Sequence, residues 1–180
     1  MTTDLNPFEN TAYVHDSVCV FGKVTFGEGS SLWPYAVIRA EMHEVKIGEK
    51  TNIQDFVMIH VGATIGTTVG DYCSITHHCT LHGCTIGNNC LIGINSTIMD
   101  GCIIGDNCII AGHTFLKEGT IIPDNSIVAG TPGKVIKTKN NYKSNYINAM
   151  AYYENALGYA VKDYRRLSDP MVLERLAKSA

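Results

Sequence analysis

Aliphatic residues recur every six positions along most of the chain, and this interval is its dominant pattern. The longest unbroken series has eight members: Ile86, Ile92, Ile98, Ile104, Ile110, Leu116, Ile122 and Val128. Three shorter series, at positions 14–38, 47–59 and 69–81, keep the same interval. Three extra residues separate the first series from the second, and four separate the second from the third. The step from the third series to Ile86 is one residue too short. A fixed short period is typical of a solenoid, in which each repeat is one small structural unit.

Each six-residue repeat also contains a second small side chain and a corner. Four residues after most of the aliphatic positions stands a small residue or a cysteine, as at Cys73, Cys90 and Ser96. Glycine often follows the aliphatic residue directly, as at Gly48 and Gly70, and Asp, Asn or Glu commonly comes next. This chemistry favours a tight corner that tolerates a positive φ. We therefore expect two inward side chains and one short strand per repeat.

Three such strands closing into a triangular coil predict an all-β solenoid, a parallel β-helix whose coils stack at about 4.8 Å. The six-residue interval stops after the Gly-Thr-Pro-Gly segment at 130–133. We therefore expect a β-helix domain at residues 1–136 and a helical tail at residues 137–180.

The tail has the periodicity of an amphipathic helix. From near Asn141 to near Lys162 apolar side chains recur at steps of three and four: Tyr142, Tyr146, Ile147, Met150, Tyr153 and Leu157. Asp169-Pro170 is expected to begin a second short helix that runs to about Lys178. We expect this tail to pack on the prism or on a neighbouring subunit.

Composition and charge narrow the choice of partners. The 14 Lys and Arg against 17 Asp and Glu give a net charge of −3, too balanced for binding to nucleic acid through a basic surface. Neither a long apolar run nor a secretory signal is present, so we expect no membrane insertion and no secretion. The seven cysteines lack a Cys-x-x-Cys pair, which fits buried structural thiols in a reducing cytoplasm.

Three histidines occupy related positions in the repeats. His60 and His82 each follow an inward aliphatic residue, and counting coils places them in one outward column above Arg39. His77 lies on a different face, one coil above Asp55. Because a rigid prism points the two columns in different directions, three imidazoles can meet only if a neighbouring chain supplies one. The register therefore predicts a homotrimer with three equivalent sites between its subunits.

Three neutral imidazoles with an open fourth position are the ligand set of a catalytic zinc ion. Zinc lowers the pKa of its bound water to about 7, so that hydroxide is available at neutral pH. Polar packing between subunits is the alternative use of these side chains. The remaining histidines are expected to be ordinary surface residues: His15, His43, His78 and His113.

Several segments resemble the γ-class carbonic anhydrases and their relatives, which are left-handed β-helix proteins built from hexapeptide repeats. The matching segments are 37–41, 51–55, 59–60 and 77–87, within a likeness that runs from about residue 10 to residue 136. The resemblance implies that His60, His77 and His82 bind Zn²⁺ between subunits of a homotrimer, with Fe²⁺ or Co²⁺ as alternatives.

The resemblance also implies roles for residues around the metal. Gln54 is similar to the residue that orients the metal-bound water or hydroxide, and Asp55 to its neighbour in the acid–base network. Arg39 resembles an arginine that pairs with an acidic group across the subunit boundary. Tyr152 is similar to a tyrosine that the C-terminal helix of the family brings toward the site. Corner hydrogen bonds, a structural ion pair and helix packing are the alternative roles of these residues.

The sequence departs from the family pattern at residues near the expected site. Glu41 stands where the family usually has Asp, which lengthens the carboxylate arm opposite Arg39. The loop at residues 61–68 contains no carboxylate, so the acidic proton-shuttle loop of the most active members is missing. Because hydroxide is regenerated through a proton route to buffer, we do not expect the fast turnover of those members.

The sequence thus favours a lyase that hydrates CO₂ reversibly to bicarbonate through a zinc-bound hydroxide at the interfaces of a cytoplasmic homotrimer. Its expected partners are CO₂, bicarbonate and further copies of the chain, without nucleic acid or membrane. Two alternatives stay open: a metal-binding relative of the family without useful hydratase activity, and a hexapeptide-repeat acyltransferase that uses acetyl-CoA.

Overall fold

The computed structural model describes residues 6–178, which form a parallel β-helix followed by a helical tail. The strands, in chain order, are β1 (Tyr13–Val14), β2 (Cys19–Phe26), β3 (Ser31–Leu32), β4 (Val37–Ile47), β5 (Asn52–Ile53), β6 (Met58–His60), β7 (Thr67–Val69), β8 (Ser74–Ile75), β9 (Thr80–His82), β10 (Thr85–Ile86), β11 (Leu91–Ile92), β12 (Thr97–Ile98), β13 (Ile103–Ile104), β14 (Ile109–Ile110), β15 (Phe115–Leu116), β16 (Ile121–Ile122), β17 (Ser126–Gly130) and β18 (Gly133–Thr138). The helices are α1 (Tyr142–Ala160) and α2 (Pro170–Lys178), with a 3₁₀ turn at Arg166–Ser168 between them. The expected left-handed hexapeptide-repeat β-helix is confirmed.

The strands form the three faces of a prism. Face 1 is one sheet with the order β1-β3-β5-β8-β11-β14-β17-β18. The second sheet, β15-β12-β9-β6-β4-β7-β10-β13-β16, turns a corner within the long strand β4. We call its β6, β9, β12 and β15 side face 2, and its β7, β10, β13 and β16 side face 3. The strand pairs between successive coils are parallel, whereas β18 closes face 1 antiparallel to β17.

Inward aliphatic side chains from every coil form one continuous core. Strand pairing joins inward residues that are three hexapeptides apart, as Ile92 with Ile110 and Ile110 with Val128. All eight residues of the longest series are at most 4% exposed. Burial of a side chain of this size contributes about 1.5–3 kcal/mol relative to its exposure. A slip of one residue would turn the inward side chains outward, which explains why the interval of six is kept so strictly.

The glycine after each aliphatic residue serves close packing between coils. A Cβ at Gly48 would lie 2.4 Å from the carbonyl carbon of Gly70 and from Oδ1 of Asp71, both in the next coil. Positive φ occurs two residues later, at Lys50 (φ +47°) and Tyr72 (φ +54°). The corners therefore do contain a positive φ, but the glycine is needed for a different reason: the stacked corner leaves no room for a side chain at its position.

Helix α1 packs against face 1 near β1, β3, β5 and β8. Its buried residues are small or hydrogen-bonded: Asn145, Ala149, Glu154, Ala156 and Gly158. Asn145 donates hydrogen bonds to backbone carbonyls of the prism, and Glu154 is paired with arginines of the tail. The predicted amphipathic helix is present, but its apolar positions are half-buried, except for the exposed Tyr142, and the fully buried face consists of the residues named above. No helix in the described part of the chain is long and apolar enough to cross a membrane.

Six of the seven cysteines are buried free thiols, as expected from their inward positions, and Cys19 is exposed. Burial raises the pKa of the Cys84 thiol to about 12. Burial likewise raises the pKa of the Cys79 thiol to about 11. Since the thiolate is the reactive form, these thiols are chemically inert in the folded chain.

We expect a water-soluble disulfide reagent to modify only Cys19 in the native protein, because the other six thiols are buried and out of its reach. Counting modified thiols before and after denaturation should give one and then seven. Cys19→Ser should abolish the native reaction. Rapid modification of any buried thiol in folded protein would contradict this core.

Candidate metal centre

Two imidazoles lie next to each other on face 2. His60 ends β6, His82 ends β9, and the two residues are paired in register. Nδ1 of His60 lies 3.0 Å from Nε2 of His82, and both side chains are partly buried. The predicted stacking of these two histidines is therefore confirmed.

Asp100 orients the ring of His82. Its Oδ1 lies 2.6 Å from Nδ1 of His82. A Cβ at Gly83 would come within 2.2 Å of the same oxygen, so the close approach requires a residue without a side chain there. An imidazole whose Nδ1–H is donated to a carboxylate presents Nε2 as its lone-pair atom, which is the usual arrangement of a metal-binding histidine. Asp100 is absent from the residues predicted from sequence, although coil counting places it one coil beyond Gly83.

The insertion in β4 brings a second carboxylate to this pair. A register shift between β2 and β4 leaves residues 41–44 outside the ladder of hydrogen bonds. Glu41 Oε2 lies 3.1 Å from Nε2 of His60, and its Oε1 is 2.5 Å from Arg39 Nη1. Hydrogen bonding to its own backbone, followed by the contacts with His60 and Arg39, lowers the pKa of Glu41. Arg39 thus has an acidic partner within its own chain.

His77 lies on the edge between faces 1 and 2. Its Nδ1 is 3.0 Å from Oδ2 of Asp55, one coil below, which confirms the predicted stacking of these residues. The carboxylate again holds one ring nitrogen and leaves Nε2 free. Within residues 6–178 no group of three His, Cys, Asp or Glu side chains is gathered as a ligand set. One chain therefore separates His77 from the pair on face 2.

Gln54, beside Asp55, has a buried acceptor without a hydrogen bond. Its Nε2 donates to Oδ1 of Asn52 at 2.9 Å, while Oε1 has no partner in the described residues although Gln54 is 1% exposed. Asn52 donates to the Ser74 hydroxyl, and that hydroxyl donates to Oδ1 of Asn148 on α1. This chain of side chains fixes the amide with Oε1 as a free acceptor. An unsatisfied buried acceptor costs about 1–3 kcal/mol, so the site is suited to a ligand that donates a hydrogen bond.

Tyr152 of α1 reaches the same edge of the prism. Its ring packs edge-to-face on Trp33, with centroids 5.6 Å apart. Burial, followed by the negative charge of Asp55, raises the pKa of Tyr152. The phenol therefore remains a neutral donor within electrostatic reach of Asp55.

The donor set fits a zinc ion. His60, His77 and His82 each contact a carboxylate, which holds the ring while leaving a second nitrogen for another partner. Two nitrogens on one tetrahedral zinc, at bond lengths of about 2.0–2.1 Å, lie about 3.3 Å apart. The two facing nitrogens of His60 and His82 are separated by 3.0 Å, so this half of a ligand set is close to its working geometry.

Comparison with known proteins shows similarity to both carbonic anhydrases and hexapeptide transferases. Residues 83–118 match the family model described as bacterial transferase hexapeptide (six repeats). The chain is 47% identical to the "Probable carbonic anhydrase" of Methanocaldococcus jannaschii, over 74% of this chain and 85% of that protein. It is 33% identical to the mitochondrial gamma carbonic anhydrase 2 of Arabidopsis thaliana over 51% of this chain, and spans 35% of that protein.

One solved structure is similar over most of the chain. The crystal structure of a hexapeptide transferase family protein from Anaplasma phagocytophilum superimposes with a TM-score of 0.69 at 28% identity. The alignment covers 83% of this chain and 91% of the other. The β-helix is therefore common to proteins whose names indicate different chemistry, and the side chains of the site decide between them.

Replacing Asp100 should weaken zinc binding, because an amide at this position can donate to Nδ1 of His82 and favour the wrong tautomer. We expect Asp100→Asn to lower zinc affinity by about 10–100-fold in competition with a chromophoric chelator. Asp106→Asn is the matched control, since Asp106 accepts a hydrogen bond at a corner remote from the histidines. Equal affinity of Asp100→Asn and the wild type would show that this carboxylate does not support a ligand.

Proposed function

Because the chain belongs to the γ-class carbonic anhydrases and their relatives, we propose that it is a zinc enzyme that hydrates CO₂ reversibly to bicarbonate. In this proposal His60 and His82 of one subunit and His77 of the next bind each metal ion of a homotrimer. The observation that carries this proposal is the pair of facing nitrogens on His60 and His82, which lie 3.0 Å apart. The third histidine, His77, contacts the carboxylate of Asp55 on another edge of the prism. A reducing compartment such as the cytoplasm suits its free buried thiols.

The chain's own residues hold and orient the site. A bound zinc ion supplies a water ligand whose pKa is about 7, and thus a nucleophile at neutral pH. Asp100 and Asp55 accept the Nδ1 protons of His82 and His77 and so fix the orientation of these rings. Fe²⁺ and Co²⁺ suit the same imidazole donors.

In this proposal Gln54 orients the nucleophile and Tyr152 orients the product beside the histidines. Oε1 of Gln54 is a free buried acceptor, which suits it to receive a proton-bearing nucleophile and direct its lone pair toward CO₂. Tyr152 stays protonated because of its burial and of the charge on Asp55, so its hydroxyl can donate to a product oxygen. Tyr152 lies on α1, and Gln54 is connected through the side chains of Asn52 and Ser74 to Asn148 of the same helix. The tail is therefore part of the proposed site.

A cavity of about 420 Å³ beside the two histidines suits a small apolar substrate. It is lined by Arg39, Glu41, Met42, His60, Val61, Gly62, Ala63 and His82. The charge of Arg39 favours bicarbonate at its rim. Glu41 contacts His60 and is also solvent-exposed, so we assign it the transfer of protons to buffer in place of the missing acidic loop.

Acyl transfer from acetyl-CoA is the second candidate function, favoured by the similarity to the hexapeptide transferase structure. Such an enzyme needs one histidine as general base toward an acceptor hydroxyl or amine. It does not require two imidazoles with facing nitrogens and a third, separately oriented one. A metal-binding relative without useful hydratase activity is the remaining alternative.

Stopped-flow CO₂ hydration by zinc-loaded protein tests the proposal. We expect about one zinc ion per chain, hydration above the buffer rate, and loss of both in His77→Ala, with kcat/KM falling by about 100-fold or more. His113→Ala is the control, because His113 is an exposed corner residue outside the site. Zinc binding without hydration would favour the inactive relative, and acetyl transfer by zinc-free protein would favour the acyltransferase.

Mixed trimers test whether each site is shared between subunits. His60→Ala and His77→Ala subunits are each expected to be inactive alone. In a co-refolded mixture, an intact His77 edge meets an intact pair on face 2 at about a quarter of the interfaces. Zinc content and activity should therefore recover to about a quarter of the wild type. Absence of any recovery from confirmed mixed trimers would contradict a shared site.

A further inference from the structure

A cavity of about 530 Å³ lies between the first coil of the prism and the carboxyl end of α1. Residues 11–16 line it on one side, and Tyr159, Lys162 and Tyr164 line it on the other. The three histidines of the candidate metal centre do not contribute to its walls. A cavity of this size holds a small ligand, so the chain offers a second place for a small molecule to bind.

Three phenol rings form the steep walls of this cavity, and we call Tyr13, Tyr159 and Tyr164 the aromatic cage. The ring centroids of Tyr13 and Tyr159 are 5.6 Å apart with planes at 67°. Those of Tyr159 and Tyr164 are 4.9 Å apart with planes at 70°. Rings that meet at such angles around one space attract an alkylated ammonium group through the negative charge of their π faces.

Tyr13 is a neutral phenol beside a carboxylate. Burial raises its pKa most, and the neighbouring Tyr159 and Tyr164 and then the negative charges of Asp16 and Asp55 raise the pKa further. The ring is thus partly removed from water, and the charge of Asp16 is within its electrostatic reach. Attraction between a cation and a ring is stronger where both are removed from water.

Two opposite charges line the cavity without forming an ion pair. Asp16 stands in the turn after β1, and Lys162 lies two residues beyond the end of α1. Within residues 6–178 neither side chain has a salt-bridge partner. A carboxylate and an ammonium group that are both unpaired can be satisfied together by a ligand with the two complementary charges.

His15 adds a hydrogen-bond donor to the lining of the cavity. Its Nδ1 accepts a hydrogen bond from the backbone N–H of Ser17 at 3.2 Å, so the proton of the neutral imidazole stands on Nε2. The hydroxyl of Ser17, 2.8 Å from the same nitrogen, also holds the ring. Nε2–H of His15 and the ammonium group of Lys162 are therefore both donors to an anionic group in this cavity.

We propose that this cavity binds a small zwitterion that carries a quaternary ammonium group and a carboxylate. The ammonium group occupies the aromatic cage beside Asp16, and the carboxylate accepts hydrogen bonds from Lys162 and from Nε2 of His15. A quaternary ammonium suits the cage better than a primary one, because it has no N–H groups that need acceptors. The inference goes beyond the proposed function and is independent of it, since the two sites share no residue.

Ligand-observed NMR on the full chain, by transfer of saturation from protein to ligand, tests the proposal with three probes of similar shape. Glycine betaine carries both charges, 3,3-dimethylbutyrate replaces its cationic nitrogen by carbon, and choline replaces its carboxylate by a hydroxymethyl group. We expect glycine betaine to bind, and we expect the dissociation constant to rise by about tenfold or more when either charge is absent.

Variants separate the two halves of the cavity. Tyr159→Leu should weaken glycine betaine binding by about tenfold, whereas Tyr159→Phe keeps the ring and should bind within about twofold of wild type. Lys162→Asn should weaken glycine betaine but not choline, and asparagine fits the φ of +62° at that position. Tyr142→Leu is the matched control, because Tyr142 is an exposed tyrosine of α1 outside the cavity. Asp16→Asn, an isosteric change at an exposed position, provides a second route if Tyr159→Leu does not fold.

Equal binding of glycine betaine and 3,3-dimethylbutyrate would overturn the role of the aromatic cage. Choline that binds as tightly as glycine betaine would overturn the assignment of a zwitterion, and no detectable binding of any probe would overturn the whole proposal. A trimethyl-lysine peptide that binds more tightly than glycine betaine would overturn it in favour of a protein partner. Each of these results leaves the proposed function unchanged, because the measurement involves neither zinc nor CO₂.

Discussion

The stacking of successive coils in register is the constraint on which the rest of this structure depends. Each coil hydrogen-bonds to the next, and the inward aliphatic residues of neighbouring coils pair directly, as Ile92 does with Ile110. Because the backbones approach so closely at the corners, a Cβ at Gly48 would meet the next coil. The side chains on the outside of the prism are therefore held in straight columns, with little freedom to change direction.

These columns explain why the candidate site is divided between two surfaces. His60 and His82 share one column, and their nitrogens lie 3.0 Å apart. His77 belongs to a column on the adjacent edge, where Asp55 holds it. A flexible loop could close the gap between them, but a rigid prism cannot, so a second chain is the natural source of the third imidazole.

Sequence was sufficient to predict what depends on the regular repeat. The β-helix, the buried cysteines, the stacking of His60 on His82 and that of Asp55 under His77 all follow from counting in sixes, and the structure agrees. Contacts that depend on side-chain conformation at corners and insertions could not be predicted by counting residues. The contact of Asp100 with His82 needs the close approach at Gly83, and the bulge at residues 41–44 turns Glu41 toward both His60 and Arg39.

The central claim is that two chains share one metal ion, and anomalous X-ray diffraction at the zinc absorption edge tests it most directly. Crystals of the zinc-loaded protein should show one anomalous peak at each subunit interface of a trimer, bounded by His60 and His82 of one subunit and His77 of the next. A peak held by residues of a single chain, or none beside these histidines in crystals that contain zinc, would contradict the account.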